Sequence, residues 1–145
     1  MELDRIRLML HLAVDCPLSL EEFCAAMRHR FGLPDFEYAC ENETEWGLVK
    51  HEGIDYNVSR PYKRGTLKEW DGSVPEGCNV GVTLTAFKDC PPGQDADWSS
   101  AELVERIGQG LADLLRRQVY HHRTWLGAGE NVTHQRVFLP KSSRG

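Results

Sequence analysis

Residues 6–14 read IRLMLHLAV. Ile6, Leu8, Leu10, Leu12 and Val14 alternate with Arg7, Met9, His11 and Ala13. That is the period-2 pattern of a strand with one dry face and one mixed face. A sheet begun this way needs a helical layer on its dry side only. Asp15 and Pro17 end the strand.

The next segment supplies a helix. Ser19 and Glu22 form a capping box, and Leu20, Phe23, Cys24, Met27 and Phe31 follow at helical spacing. Gly32 suits the position after a helix and Pro34 prevents resumption, which predicts a helix over 19–31. Three strand-like pieces come next. Phe36, Tyr38 and Cys40 alternate with Glu37, Ala39 and Glu41; ENET turns the chain; EWGLVK and IDYNVSR follow, the last with Ile54, Tyr56 and Val58 in alternation. Residues 60–79, with Pro61, Gly65, Gly72, Pro75 and Gly77, read as a long loop. NVGVTLTAF returns to a strand, with Val80, Val82, Leu84 and Ala86 on one side and Thr83, Thr85 and Phe87 on the other.

A second capping box, Ser99 with Glu102, opens a long helix whose stripe runs Leu103, Ile107, Gly110, Leu111, Leu114 and Gln118. It is expected to reach Trp125, with Gly127 and Gly129 as its stop. A glycine on the apolar stripe costs about 1 kcal/mol, so Gly110 is expected to allow close approach to the sheet. QRVFL is a candidate last strand. The fold class expected is α+β. It is a two-layer sandwich with a mostly antiparallel sheet of four to five strands and two helices on one face, in the order β-α-β-β-β-loop-β-α-β. Residues 1–139 form a single domain and 140–145 a loose tail. Alternation puts Glu37, Asp55, Asn57, Thr83 and Thr85 on the open sheet face, beside Arg7, Met9 and His11.

Composition narrows the class. A 41% hydrophobic content and a mean hydropathy of −0.47 fit a globular chain. There is no apolar run of the ~18 residues that crosses a bilayer. Residues 1–15 lack the order of a secretory signal, so a cytoplasmic location is expected, without membrane contact. Cys16, Cys24, Cys40, Cys78 and Cys90 are odd in number and include no C-x-x-C, as expected of core thiols in a reducing compartment. Phosphate-loop and dinucleotide signatures are missing, as is the G-x-S-x-G elbow. His121 and His122 are adjacent, which is poor spacing for one metal, and YHHRTW reads as a basic helix end. Neither a catalytic set nor a cofactor nor a metal is expected.

Charge is the feature that composition does not explain. Residues 35–55 hold seven carboxylates (Asp35, Glu37, Glu41, Glu43, Glu45, Glu52 and Asp55) against Lys50 alone, a balance of −6 in a chain of net −5. Tyr38, Trp46 and Tyr56 lie among them. Aromatic anchors in a charged rim are the anatomy of a protein contact, and negative potential repels nucleic acid. The expected partner-binding set is Glu37, Tyr38, Glu41, Glu43, Glu45, Trp46, Asp55 and Tyr56, facing a protein with a basic surface.

A small acidic α+β chain carrying FEYACENETEW (residues 36–46) and no catalytic signature resembles the bacterial immunity proteins, which neutralise a toxin or secreted effector. The resemblance implies a tight complex with a cognate toxin, whose active site is occluded or whose fold is locked. The rival expectation is a small-molecule domain or small enzyme with an anion-binding pocket near residues 60–70. Lys63, Arg64 and His121 would be its ligands.

Overall fold

A computed structural model describes residues 2–41, 43–62, 67–70, 72–91, 100–126, 130–132 and 136–141. Along the chain run β1 (Asp4–Val14), α1 (Leu20–Phe31), β2 (Glu37–Glu41), β3 (Thr44–His51), β4 (Ile54–Pro61) and α2 (Leu67–Trp70). They are followed by β5 (Val80–Cys90), α3 (Ser100–Leu115), β6 (Val119–Leu126), β7 (Glu130–Val132) and β8 (Arg136–Phe138). One antiparallel sheet has the path β2-β3-β4-β5-β1-β6-β7, with β8 pairing β6 beside that path.

The α+β class and the antiparallel sheet are as expected. The strand count is not: among the described residues, eight strands replace four to five. The main cause lies after α3. The helix stops at Leu115 rather than Trp125, because Arg116 turns left-handed at φ 59° and closes the end through its N–H to the carbonyl of Ala112. Residues 119–126, VYHHRTWL, then form a strand beside β1. A non-glycine residue performs the reversal, so no glycine announces it. Within the expected 60–79 loop lies the single turn α2. Ser99, residues 92–98 and the tail beyond Lys141 lie outside the described residues.

The dry faces line up across the sheet. Leu8, Leu10, Leu12 and Val14 pair with Ala86, Leu84, Val82 and Val80, and Val82 and Leu84 in turn pair with Val58 and Tyr56. Phe23, Cys24 and Met27 of α1 and Val104, Ile107 and Leu111 of α3 complete this core. Each such side chain contributes about 1.5–3 kcal/mol through burial.

Helix α1 begins with the full capping box. The Ser19 hydroxyl accepts from Glu22 N–H at 3.1 Å, and the Glu22 carboxylate accepts from Ser19 N–H at 3.0 Å. Those bonds hold the Glu22 carboxyl below its usual value. Gly32 ends the helix at φ 67°.

Close approach at Gly110 is real, but its neighbour is α1 rather than the sheet. A Cβ there would stand 2.7 Å from the Phe31 ring. The glycine that meets the sheet is Gly108, where a Cβ would lie 2.5 Å from Phe138 of β8.

Just before β5, the chain is tied to the segment after β1 by one buried side chain. Asn79 Oδ1 accepts from Cys16 N–H at 2.7 Å, and its Nδ2 donates to the Cys16 carbonyl at 2.8 Å. This clamp holds the 72–79 segment against the sheet. There Leu67, Val74 and Cys78 pack on Ala13 with Tyr120, forming a second, smaller apolar cluster. Among the described residues, no helix is long and apolar enough to cross a membrane.

Candidate functional site

Strand registers on the open side of the sheet create a depression. One row across five strands reads Tyr120, Ala13, Gly81, Ser59 and Trp46. Three small residues therefore sit between two bulky rings. Leu67 and Val74 rise on the Ala13 side, and Trp46 rises on the other. The result is a half-open cavity of about 560 Å³, within the size range of ligand pockets.

Its two ends differ. At one end lie His11, Thr83 and His122. His11 Nδ1 and Thr83 Oγ1 are 3.2 Å apart, and His122 Nδ1 is 2.8 Å from Ser73 Oγ. The two imidazoles are tilted, with centroids 6.1 Å apart. A β-bulge brings them together. Leu12 pairs with His121, but His11 pairs with Arg123, so His122 is the extra residue of β6. Such a bulge re-aims side chains. It leaves His122 against the cavity at 3% exposure. At the opposite end, Pro61 pairs with Thr44 and Thr44 with Glu41, and the exposed carboxylates of Glu41 and Glu43 border the opening.

The expected partner set is split by this geometry. Glu41, Glu43 and Trp46 share the cavity. Glu37 and Asp55 line a second groove with Asp35, Leu48, Lys50 and Thr85, where the Lys50 ammonium stands 3.7 Å from Asp55. Glu45 points to the helix side and pairs with Arg60 at 3.5 Å. Tyr38 is 48% exposed at the rim above α1, where partial burial and the Cys24 thiol raise its phenol pKa. Tyr56 is 3% exposed and belongs to the core, with its phenol pKa raised by that burial. Both of these tyrosines follow the dry set of the alternation.

Of the rival set, Lys63 and Arg64 lie outside the described residues. His121 is buried opposite Leu12, its Nε2 2.8 Å from Thr124 Oγ1, and is not among the residues that line the cavity. Its neighbour His122 takes the place next to the ligand space. The alternation of residues 6–14 already put His11 on this side; the bulge that recruits His122 has no sequence signature.

Nucleophile chemistry finds little support. Burial pushes the Cys24 thiol up to about 12, with a further push from Glu45, and burial lifts Cys78 to about 11. Thiols so shifted are protonated at neutral pH and inert. Cys16 is buried as well, whereas Cys40 is exposed on β2. Among the described residues, no three His, Cys, Asp or Glu side chains are placed to share a metal ion. What the arrangement offers is recognition: an indole wall, hydroxyls from Ser59, Thr44 and Thr83, imidazoles at one end and carboxylates at the other. In comparisons with known proteins, no family model matches this chain, and a search of curated proteins returns no match.

Proposed function

We propose that this protein is a binding domain of the immunity type, which neutralises a cognate toxin or effector by docking a basic surface of that partner on the open face of the β2–β3 hairpin. The observation that carries the reading is the convergence of Glu41, Glu43 and Trp46 on one cavity, with Glu37 and Asp55 beside it on the same sheet face. Carboxylates around an exposed concavity steer a cationic partner and fix its register, while the aromatic wall supplies dry contact area. Edge strand β2 is exposed along all five residues, so the approach is unobstructed from that side.

The rival reading, a small-molecule pocket, draws support from the cavity's place between the sheet and residues 67–79. An anion is the less suitable guest, because the described lining carries Glu41 and Glu43 and no lysine or arginine.

The test is comparative capture. Wild-type protein and the Glu41→Lys/Glu43→Lys variant are immobilised and exposed to lysate of the native host. A basic protein retained by the wild type, released by salt and absent from the variant is the expected result. With that partner purified, association should slow by at least about tenfold in the variant and lose most of its salt dependence. Equal retention by the two forms refutes the reading.

A further inference from the structure

Resting on that reading, we infer that the cavity is the receptor for one arginine side chain of the partner, laid along Trp46 with its guanidinium between Glu41 and Glu43. The shape comes first. Two small residues, Gly81 and Ser59, line its floor, which leaves room for a guest between Leu67 and Trp46. The trough runs along the strands from His11 and Thr83 to Pro61 and Thr44, four residues of strand, or roughly 13 Å. That length admits an extended side chain together with part of its backbone.

Chemistry selects the guest. Trp46 lines the cavity, and an indole is the aromatic group that attracts a cation most strongly. Glu41 pairs with Thr44, two residues from Trp46 along β3, so charge and ring border the same part of the cavity. A planar guanidinium stacks on an indole and forks toward carboxylates at once, which an ammonium does not do. The apolar sides, Leu67 and Val74, suit the three-carbon stem. At the far end His11 and His122 are engaged with Thr83 and Ser73. They offer polar edges there, next to the backbone of a bound segment. An anionic guest would meet Glu41 and Glu43, and a neutral apolar one would leave them without counter-charge.

The experiment needs no partner. N-acetyl-arginine methylamide is titrated into the full chain and followed by NMR at the Trp46 indole N–H and the Thr83 amide. The isosteric neutral citrulline derivative and hexanoate serve as controls. Saturable shifts at both positions are expected with the arginine probe, binding about tenfold weaker for citrulline, and none for hexanoate. Glu41→Gln/Glu43→Gln should abolish the preference for arginine over citrulline, and Trp46→Leu should weaken arginine binding. The Gln pair alters exposed side chains isosterically, so folding is retained and checked by the same spectra.

Equal binding of arginine and citrulline overturns the inference, as do shifts confined to residues away from the cavity or no binding by the folded wild type. If the arginine probe fails while charge reversal still abolishes partner capture, the acidic face stands and the arginine receptor falls. If the probe binds as expected and no basic protein is captured, the cavity's selectivity stands and the partner reading falls.

Discussion

The two faces of the sheet are built from the same strands and behave as different materials. On the covered face, Leu10, Leu12, Val14, Val58, Val80, Val82 and Leu84 are all but sealed from solvent beneath α1 and α3. On the open face, the residues one step along each strand are His11, Ala13, Ser59, Gly81 and Thr83. The first set maximises apolar burial. The second keeps only a small apolar cluster, Ala13 under Leu67, Val74 and Cys78, and beside it leaves a depression bordered by hydroxyls, imidazoles and one indole. Apolar burial is thus concentrated on one side, and the proposed function assigns recognition to the other.

This division predicts a large asymmetry. Leu10→Ala should destabilise the fold by about 3 kcal/mol in urea unfolding, since it removes a core side chain and leaves a hole. Thr83→Ala, on the adjacent strand but the opposite face, should cost less than about 1 kcal/mol, the net worth of its hydrogen bond to His11. Comparable losses for the two variants would break the contrast between faces.

Asn79 offers a sharper intermediate case, because it fastens the segment that walls the cavity to the edge of the core. Asn79→Ala removes both bonds to Cys16 and strands two buried backbone groups, at a cost of about 2 kcal/mol. Faster amide exchange should appear at Cys16 and in residues 74–79, while the amides of α1 keep their protection. Uniform loss of protection across α1 would mean that the loop and the covered core are one cooperative unit.

The covered side was largely legible in the sequence, for a physical reason: burial imposes periodicity. The alternation of residues 6–14, the Ser19–Glu22 box and Gly32 located β1 and α1 to within two residues. Strands β2, β4 and β5 followed from the same alternation, and so did the open-face positions of His11, Asn57 and Thr83. The same pattern put Tyr56 in step with Ile54 and Val58, and it is the core that holds it. What escaped was non-local. Arg116 ends α3 in a conformation that its side chain does not advertise, so the helical spacing gives no sign of β6. The cavity depends on Gly81 and Ser59 falling in one row with Trp46, which only the register reveals. His122 reaches it through a bulge whose position is set by pairing with β1.

The smallest expected effect lies at the margin of the covered side. Asp113 on α3 accepts from Lys141 N–H at 2.8 Å and from Gln109 Nε2 at 3.0 Å, while Gln109 also donates to the Leu139 carbonyl at 2.7 Å. The Lys141 backbone bond, aided by Gln109 and the nearby charges of Lys141 and Arg30, holds the Asp113 carboxyl below its ordinary value of 3.8. A depressed native pKa means that the unfolded chain takes up this proton first as the pH falls. The contribution is therefore complete above the ordinary value and is lost as the pH drops below it, through the native pKa. Solvent screening keeps it small. Residues 139–141 should accordingly loosen from α3 in acid before the core does, seen as falling amide protection at Lys141 between pH values on either side of 3.8, and Asp113→Asn should remove that step. Because the bond joins the chain's end to the helical layer alone, the Trp46 indole resonance should stay in place through the same titration step. Movement of Trp46 in step with Lys141 would show that the two faces communicate, and the separation of stability from recognition would have to be given up.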